Sequence, residues 1–456
     1  MTNKPAILGG TPVRKAHFKS RKTIGEEEKK AVLEVMDSDT LSAFIGGPGK
    51  FFEGGKKVKE FEKLWATKYG FKHAISVNSW TSGLMIAVGA VGIEPGDEVI
   101  CSPYTMSASA TAAIFYGGIP VFADIDPNNC CLDPESIKNK ITERTKAIIV
   151  VHLFGGTADM DAIMKIAQEK DIKVIEDAAQ APGVFYKGRP IGAIGDIGGF
   201  SLNFHKHIHT GEGGMIVTNN DELALRARLI RNHGENCMET IELDDLSNVI
   251  GGNYRLTELQ SAIGIEQLKK LDGHLETRKS LAEYLTKELA KLEGVTPFFI
   301  SENTTHAYYS YPFKYDKNKA KLSRSLFVKA VNAEFPVPKG YESVPLVEGY
   351  VKPLYYSTLY QKQIAIGKNG FPFSFNKHVT YNYDKGICPV AERMYEQEMV
   401  FSPIIREPHT IDDMKDLVKA IQKVLANASL IAKEFVNDSS LTIMDSLSTV
   451  NKTNIK

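Results

Sequence analysis

The chain has 456 residues, 43% of them hydrophobic and 24% charged, which suits a globular protein with a sizeable core and more than one packed unit. Its 55 Lys and Arg balance its 55 Asp and Glu, so a nucleic-acid partner held by bulk charge is not expected. No apolar run approaches the roughly 20 residues that span a bilayer, and the N-terminal segment lacks the apolar core of a secretory signal, so the expectation is a cytoplasmic protein with no membrane contact. The cysteines Cys101, Cys130, Cys131, Cys237 and Cys388 form neither a disulfide framework nor a Cys-x-x-Cys zinc motif, and they read as reduced, mostly buried thiols.

Residues 1–30 are polar, rich in Lys and broken by Gly9-Gly10, and read as an arm. Helical spacing begins with Val58, Phe61, Leu64 and Trp65. Short apolar strands are expected at 74–77, 98–101, 120–124, 147–152, 173–176, 198–202 and 214–218, separated by helical stretches such as 82–91, 107–116 and 160–169. This alternation predicts an α/β unit over 31–277 built on a mostly parallel sheet, in which ligands sit at the carboxyl ends of the strands. Helices at 223–231 and 258–271 continue the large unit; a long helix at 275–292, a half-buried strand at 305–315 and an amphipathic helix at 411–425 then suggest a smaller α+β domain over 278–428. The Pro-, Gly- and Tyr-rich stretch 335–385 reads as an insertion suited to facing a substrate, and 429–456 as a poorly ordered tail.

Three motifs carry chemistry. Val77-Asn78-Ser79-Trp80-Thr81-Ser82-Gly83 follows a strand and opens a helix, where free N–H groups and the helix dipole make a phosphate cradle; alone it is equally an ordinary N-cap. Val174-Ile-Glu-Asp177-Ala-Ala-Gln180 sets a carboxylate past a strand end, placed to hold a protonated ring nitrogen, with Gln180 able to donate to a ring oxygen. Gly199-Phe-Ser201-Leu-Asn203-Phe-His-Lys206-His-Ile-His-Thr-Gly211-Glu-Gly-Gly214 holds a lysine among histidines between two apolar strands. A lysine in a desolvating pocket can form a Schiff base. Phosphate cradle, carboxylate and amine together point to pyridoxal 5'-phosphate (PLP). His205, His207 and His209 alternate on one face, but no acidic or Cys ligands accompany them, so no metal is expected. His152, at a strand end, reads at least as readily as a structural histidine as a catalytic one.

With the further markers Gly92-Ile-Glu-Pro95-Gly96-Asp97 and Pro120-Val-Phe-Ala-Asp124-Ile-Asp126-Pro127, the chain resembles the PLP-dependent sugar aminotransferases of the DegT/DnrJ/EryC1/StrS family, from Gly9 to about Leu425. The resemblance implies a fold-type I architecture, an α/β large domain with a mostly parallel seven-stranded sheet plus a smaller C-terminal α+β domain. It implies Lys206 as the Schiff-base lysine, Asp177 at the ring nitrogen and Gln180 at the phenolic oxygen, with Ser201 and the amides of Trp80 and Thr81 at the phosphate. Asn253, in Gly251-Gly-Asn253-Tyr-Arg255, is implied to reach the neighbouring subunit's phosphate, which requires a homodimer with shared active sites. The chain departs from the family at Trp80, where Gly is frequent; at Met106, in place of an aromatic that stacks on the ring; and at Asn203, in place of His. Tyr104 is a possible substitute for the missing aromatic. The implied activity moves an amino group from L-glutamate or L-glutamine to a keto-sugar, nucleotide-linked in most relatives, or to a keto-cyclitol, in amino-sugar or polysaccharide biosynthesis. A sugar dehydratase on this scaffold would carry histidine at position 206, and a non-catalytic regulatory relative would be expected to have lost Lys206 or Asp177.

Overall fold

The computed structural model describes residues 4–340 and 342–435. All seven expected strands form, with ends shifted by no more than two residues: β1 (His73–Val77), β2 (Glu98–Cys101), β3 (Ile119–Phe122), β4 (Thr145–Val151), β5 (Lys173–Asp177), β6 (Ile197–Ser201) and β7 (Gly214–Thr218). They make one sheet in the order β1-β7-β6-β5-β4-β2-β3. β5 pairs in parallel with β4 and β6, and β2 with β3 and β4, while β7 runs antiparallel to both β1 and β6. Runs such as Ala147-Ile-Ile-Val-Val151 are apolar throughout because the sheet is covered and the strands have no wet face. The carboxyl ends of β1, β5 and β6 therefore open on one edge, and all three chemical motifs begin there.

A second sheet holds β8 (Val295–Pro297), β9 (Tyr311–Tyr315), β10 (Val347–Glu348) and β11 (Met399–Ser402), all antiparallel in the order β8-β9-β11-β10. Its own core gathers Phe313, Phe327, Val331, Leu417 and Ile421. The two helices expected on either side of residue 273 are one, Glu258–Leu289, opened by a Thr257–Gln260 capping box. Gly273 does not interrupt it, since its backbone stays helical and its surroundings are open. The strand expected over 305–315 begins only at Tyr311, because Tyr308 takes a left-handed φ of 47°. Of the tail expected from residue 429, the Ala428–Glu434 helix belongs instead to the folded part, with Ile431 in the second core; residues 436–456 lie outside the described residues.

The stretch 335–385, assigned by sequence to the C-terminal unit, divides. Phe335 and Leu346 join the second core, whereas Tyr355, Tyr360, Phe373 and Tyr383 pack into the first. Tyr355, Tyr360 and Tyr383 surround Phe122 with ring centroids 5.6, 5.0 and 5.9 Å away, and the Tyr383 hydroxyl donates to Pro120 O at 2.8 Å. The segment thus covers β3, an edge strand that would otherwise offer unpaired backbone groups.

The N-terminal arm is tied down by a buried carboxylate. Glu334 accepts from Ala6 N at 2.7 Å, Val13 N at 3.0 Å and Lys423 Nζ at 2.8 Å. Glu334→Ala leaves the buried Lys423 ammonium without its carboxylate and frees the arm, so unfolding in urea should show a loss of about 3 kcal/mol. An unchanged denaturation midpoint would contradict this.

Candidate active site

The turn after β1, expected to cradle a phosphate, is built by an N-cap. Ser79 Oγ accepts from Ser82 N at 3.0 Å, and the Ser82 hydroxyl donates to Asn78 Oδ1 at 2.7 Å. The next residues, Trp80 and Thr81, open the Trp80–Ala90 helix, and their N–H groups have no intrahelical acceptor. The positive end of the helix dipole lies at the same place. In the sheet register Gly214 pairs with both Val77 and Ser201, so Ser201 is brought one strand away from this turn. A Cβ on Gly214 would come within 2.8 Å of Trp80 N, so only glycine leaves room there.

Asp177 ends β5 and is 5% exposed. Its Oδ1 accepts from the Trp80 indole Nε1–H at 2.7 Å and from Ala179 N at 3.2 Å, and its Oδ2 from the Ser109 hydroxyl at 2.7 Å. Three donors offset the cost of burying an ionised carboxylate. Trp80, at a position where the family often has Gly, turns its indole inward to this carboxylate. Gln180 Oε1 accepts from Phe154 N at 2.7 Å and its amide donates to the Tyr350 hydroxyl at 2.6 Å, which leaves one N–H for another acceptor. Phe154 sits at φ 56°, a left-handed conformation that costs energy for an aromatic residue and that aims its N–H at Gln180.

Lys206 is 8% exposed, and its Nζ stands 4.5 Å over the centroid of the Tyr309 ring. Burial lowers the Lys206 ammonium to about 8, against the opposing pull of the Asp177 charge. Arg21 fixes the lysine's loop by donating to the Lys206 carbonyl and, at 3.0 Å each, to Phe204 O and His207 O. The three histidines diverge: His207 Nε2 meets Ala307 O at 2.9 Å, His209 Nε2 meets Thr23 Oγ1 at 2.8 Å, and His205 packs on Phe204 and Tyr309. Burial holds His205 and His209 down to about 4, so both stay neutral at physiological pH. The amine is the nucleophile only when neutral. Capture of PLP by the cofactor-free protein should therefore accelerate through pH 8 and level off above it, as stopped-flow absorbance would measure. A rate still climbing steeply through pH 10 would contradict the burial argument.

The structure thus brings Lys206, Asp177, Gln180, Ser201, Trp80 and Thr81 to one sheet edge. Met106 is 55% exposed, with Sδ 3.0 Å from Ala108 N, and Tyr104 is fully buried with its hydroxyl on Gly349 O, so Tyr104 does not take the place of a stacking ring. Asn253 lies beside its own chain's turn, its carbonyl accepting from Asn78 Nδ2 at 3.3 Å, while its side chain accepts from Arg255 Nε at 2.7 Å. Asn203 donates to Glu212. His152 pairs with Glu176 at 3.0 Å, both fully buried, as a structural histidine does. Sequence reasoning missed Ser109, Tyr309, Tyr350 and Arg21. Ser109, three positions after Met106 in an Ala-rich helix, carried the one local signal.

The donor set fits PLP: free first-turn N–H groups and Ser201 for a phosphate, a buried carboxylate for a ring nitrogen, an amide N–H for an oxygen and a desolvated amine for a carbonyl. Together with the fold, this defines a fold-type I PLP-dependent aminotransferase. The chain belongs to the DegT/DnrJ/EryC1/StrS aminotransferase family, whose model matches residues 22–364. It is 38% identical to GDP-perosamine synthase of Caulobacter vibrioides, over 70% of this chain and 81% of that one. It is 32% identical to L-glutamine:2-deoxy-scyllo-inosose aminotransferase of Streptoalloteichus tenebrarius, over 92% of this chain and 97% of that one. Among solved structures, an aminotransferase from Psychrobacter cryohalolentis superposes with a TM-score of 0.75 at 29% identity, covering 91% of this chain and 100% of that one.

Proposed function

We propose that this enzyme moves an amino group from L-glutamate or L-glutamine to a keto-sugar, nucleotide-linked, or to a keto-cyclitol, for amino-sugar biosynthesis. The observation that carries it is the desolvated Lys206 amine at the same sheet edge as the three-donor carboxylate of Asp177. When bound, PLP supplies a carbonyl for the amine and a ring that accepts electron density. Trp80 N–H, Thr81 N–H and Ser201 would hold its phosphate, and the remaining Gln180 N–H would be available to its phenolic oxygen. Asp177 keeps a proton on the ring nitrogen, its own charge fixed by Trp80, Ser109 and Ala179. Lys206 Nζ, neutral above about pH 8, takes the proton from the amine-bearing carbon of the donor and returns one to the acceptor carbon. Support for the acceptor class comes from the activities named for the two relatives. The test is mass detection of the amine product with a panel of nucleotide-linked keto-sugars and keto-cyclitols under each donor. Absence of product from both classes contradicts this reading.

The working form is a cytoplasmic homodimer in which Asn253 of one subunit reaches the other's phosphate. Ile45, Phe51 and Ile250 are exposed apolar side chains on segments that converge near Asn253 through Asn232 and Glu235, a patch suited to a partner copy. Mixing inactive Lys206→Ala with inactive Asn253→Ala should restore activity by forming hybrid dimers with one intact site. Failure to restore it under subunit exchange contradicts shared sites.

A further inference from the structure

Trp80 contributes to the site twice, through its main-chain N–H at the phosphate turn and through its indole at Asp177. The indole N–H lies 2.7 Å from Asp177 Oδ1, with Trp80 4% exposed. Room for the ring is made by two glycines far apart in sequence. A Cβ on Gly83 would approach Trp80 Cε3 to 2.5 Å, and one on Gly199 would also run into the indole. The other indole in the chain, Trp65, is also buried but finds no acceptor for its N–H among the described residues.

We propose that Trp80 is a positioning residue that fixes the orientation of the Asp177 carboxylate, and so would help it keep the proton on the cofactor's ring nitrogen. The inference rests on the assignment of Asp177 to that nitrogen. A donated hydrogen bond stabilises the negative charge of a carboxylate and fixes its orientation, and Trp80 supplies one of the three that Asp177 accepts. Without it, Asp177 would hold the ring-nitrogen proton less well in place, the ring would withdraw fewer electrons, and the nitrogen joining Lys206 to the cofactor would keep its proton to higher pH. Loss of alignment acts in the same direction.

Trp80→Phe removes the donor and keeps an aromatic ring. In the PLP-loaded protein, the pH midpoint at which the visible band of the Lys206-linked cofactor fades should rise by about one unit, as losing a hydrogen bond to a charged group implies. Asp177→Asn should raise it further, and Trp65→Phe should leave it in place. If Asp177→Asn moves the midpoint and Trp80→Phe does not, the inference is overturned while the reading of Asp177 stands. If neither moves it, both fall. A second measurement covers a Trp80→Phe that does not fold. With two tryptophans in the chain, ¹⁵N-labelled indole N–H signals assigned through Trp65→Phe should include a downfield Trp80 signal that moves upfield in cofactor-free Asp177→Asn. A Trp80 signal that stays in place overturns the proposal.

Discussion

Lys206→Ala should abolish turnover, with a loss on the order of 1000-fold or more, while leaving the protein folded and able to take up PLP without a covalent link. The variant removes both the group that carries the cofactor and the base that moves the proton, each of which contributes a large factor. Folding should survive because Lys206 makes no side-chain hydrogen bond to a carboxylate; its Nζ is held over the Tyr309 ring in a buried pocket, and Ala relieves the cost of placing an ammonium there. Borohydride reduction followed by peptide mass analysis reads the difference: wild type should carry reduced PLP on Lys206 and the variant on no lysine. Undiminished turnover in the variant would remove Lys206 from the chemistry.

Asp177→Asn should cost on the order of 100- to 1000-fold in kcat, the range found when a preorganised electrostatic partner is deleted. The substitution is nearly isosteric, yet it turns an acceptor-only group into one with an N–H₂ end. Either that end meets the Trp80 or Ser109 donor, or it faces the ring nitrogen, and in both cases the negative charge is gone. Affinity for the donor amino acid should change much less than kcat, because the role proposed for Asp177 is at the cofactor ring and not at the substrate. Steady-state kinetics with each donor separates the two. A loss confined to KM would contradict the assigned role.

The legible part of this molecule was the part written locally. Stretches such as 147–151 and 215–217 of the large sheet are continuous apolar runs, and Lys206, Asp177 and Gln180 occur in motifs whose order fixes which strand end they occupy. The inward turn of Trp80 was not legible, because the glycines at 83 and 199 that admit its ring belong to a helix and to β6. Tyr309 belongs to an alternating Tyr-rich stretch that reads as a strand, and its place over Lys206 is set by hydrogen bonds from Ala307 and Tyr309 to the Gly155 and Phe154 carbonyls, some 150 residues away in the chain. The stretch 335–385 lacks clear periodicity because its tyrosines at 355, 360 and 383 act as separate plugs against β3 instead of one face of a regular element. Tertiary contact, not local preference, decided these positions.

The central claim is that Lys206 and Asp177 run amino transfer on PLP, and a visible spectrum of the PLP-loaded protein tests it most directly. Adding L-glutamate or L-glutamine without any acceptor should bleach the visible band and release the matching keto acid in a one-to-one ratio with protein sites. Later addition of the keto acceptor should restore the band. A band that neither donor alters, with no keto acid formed, would contradict the account.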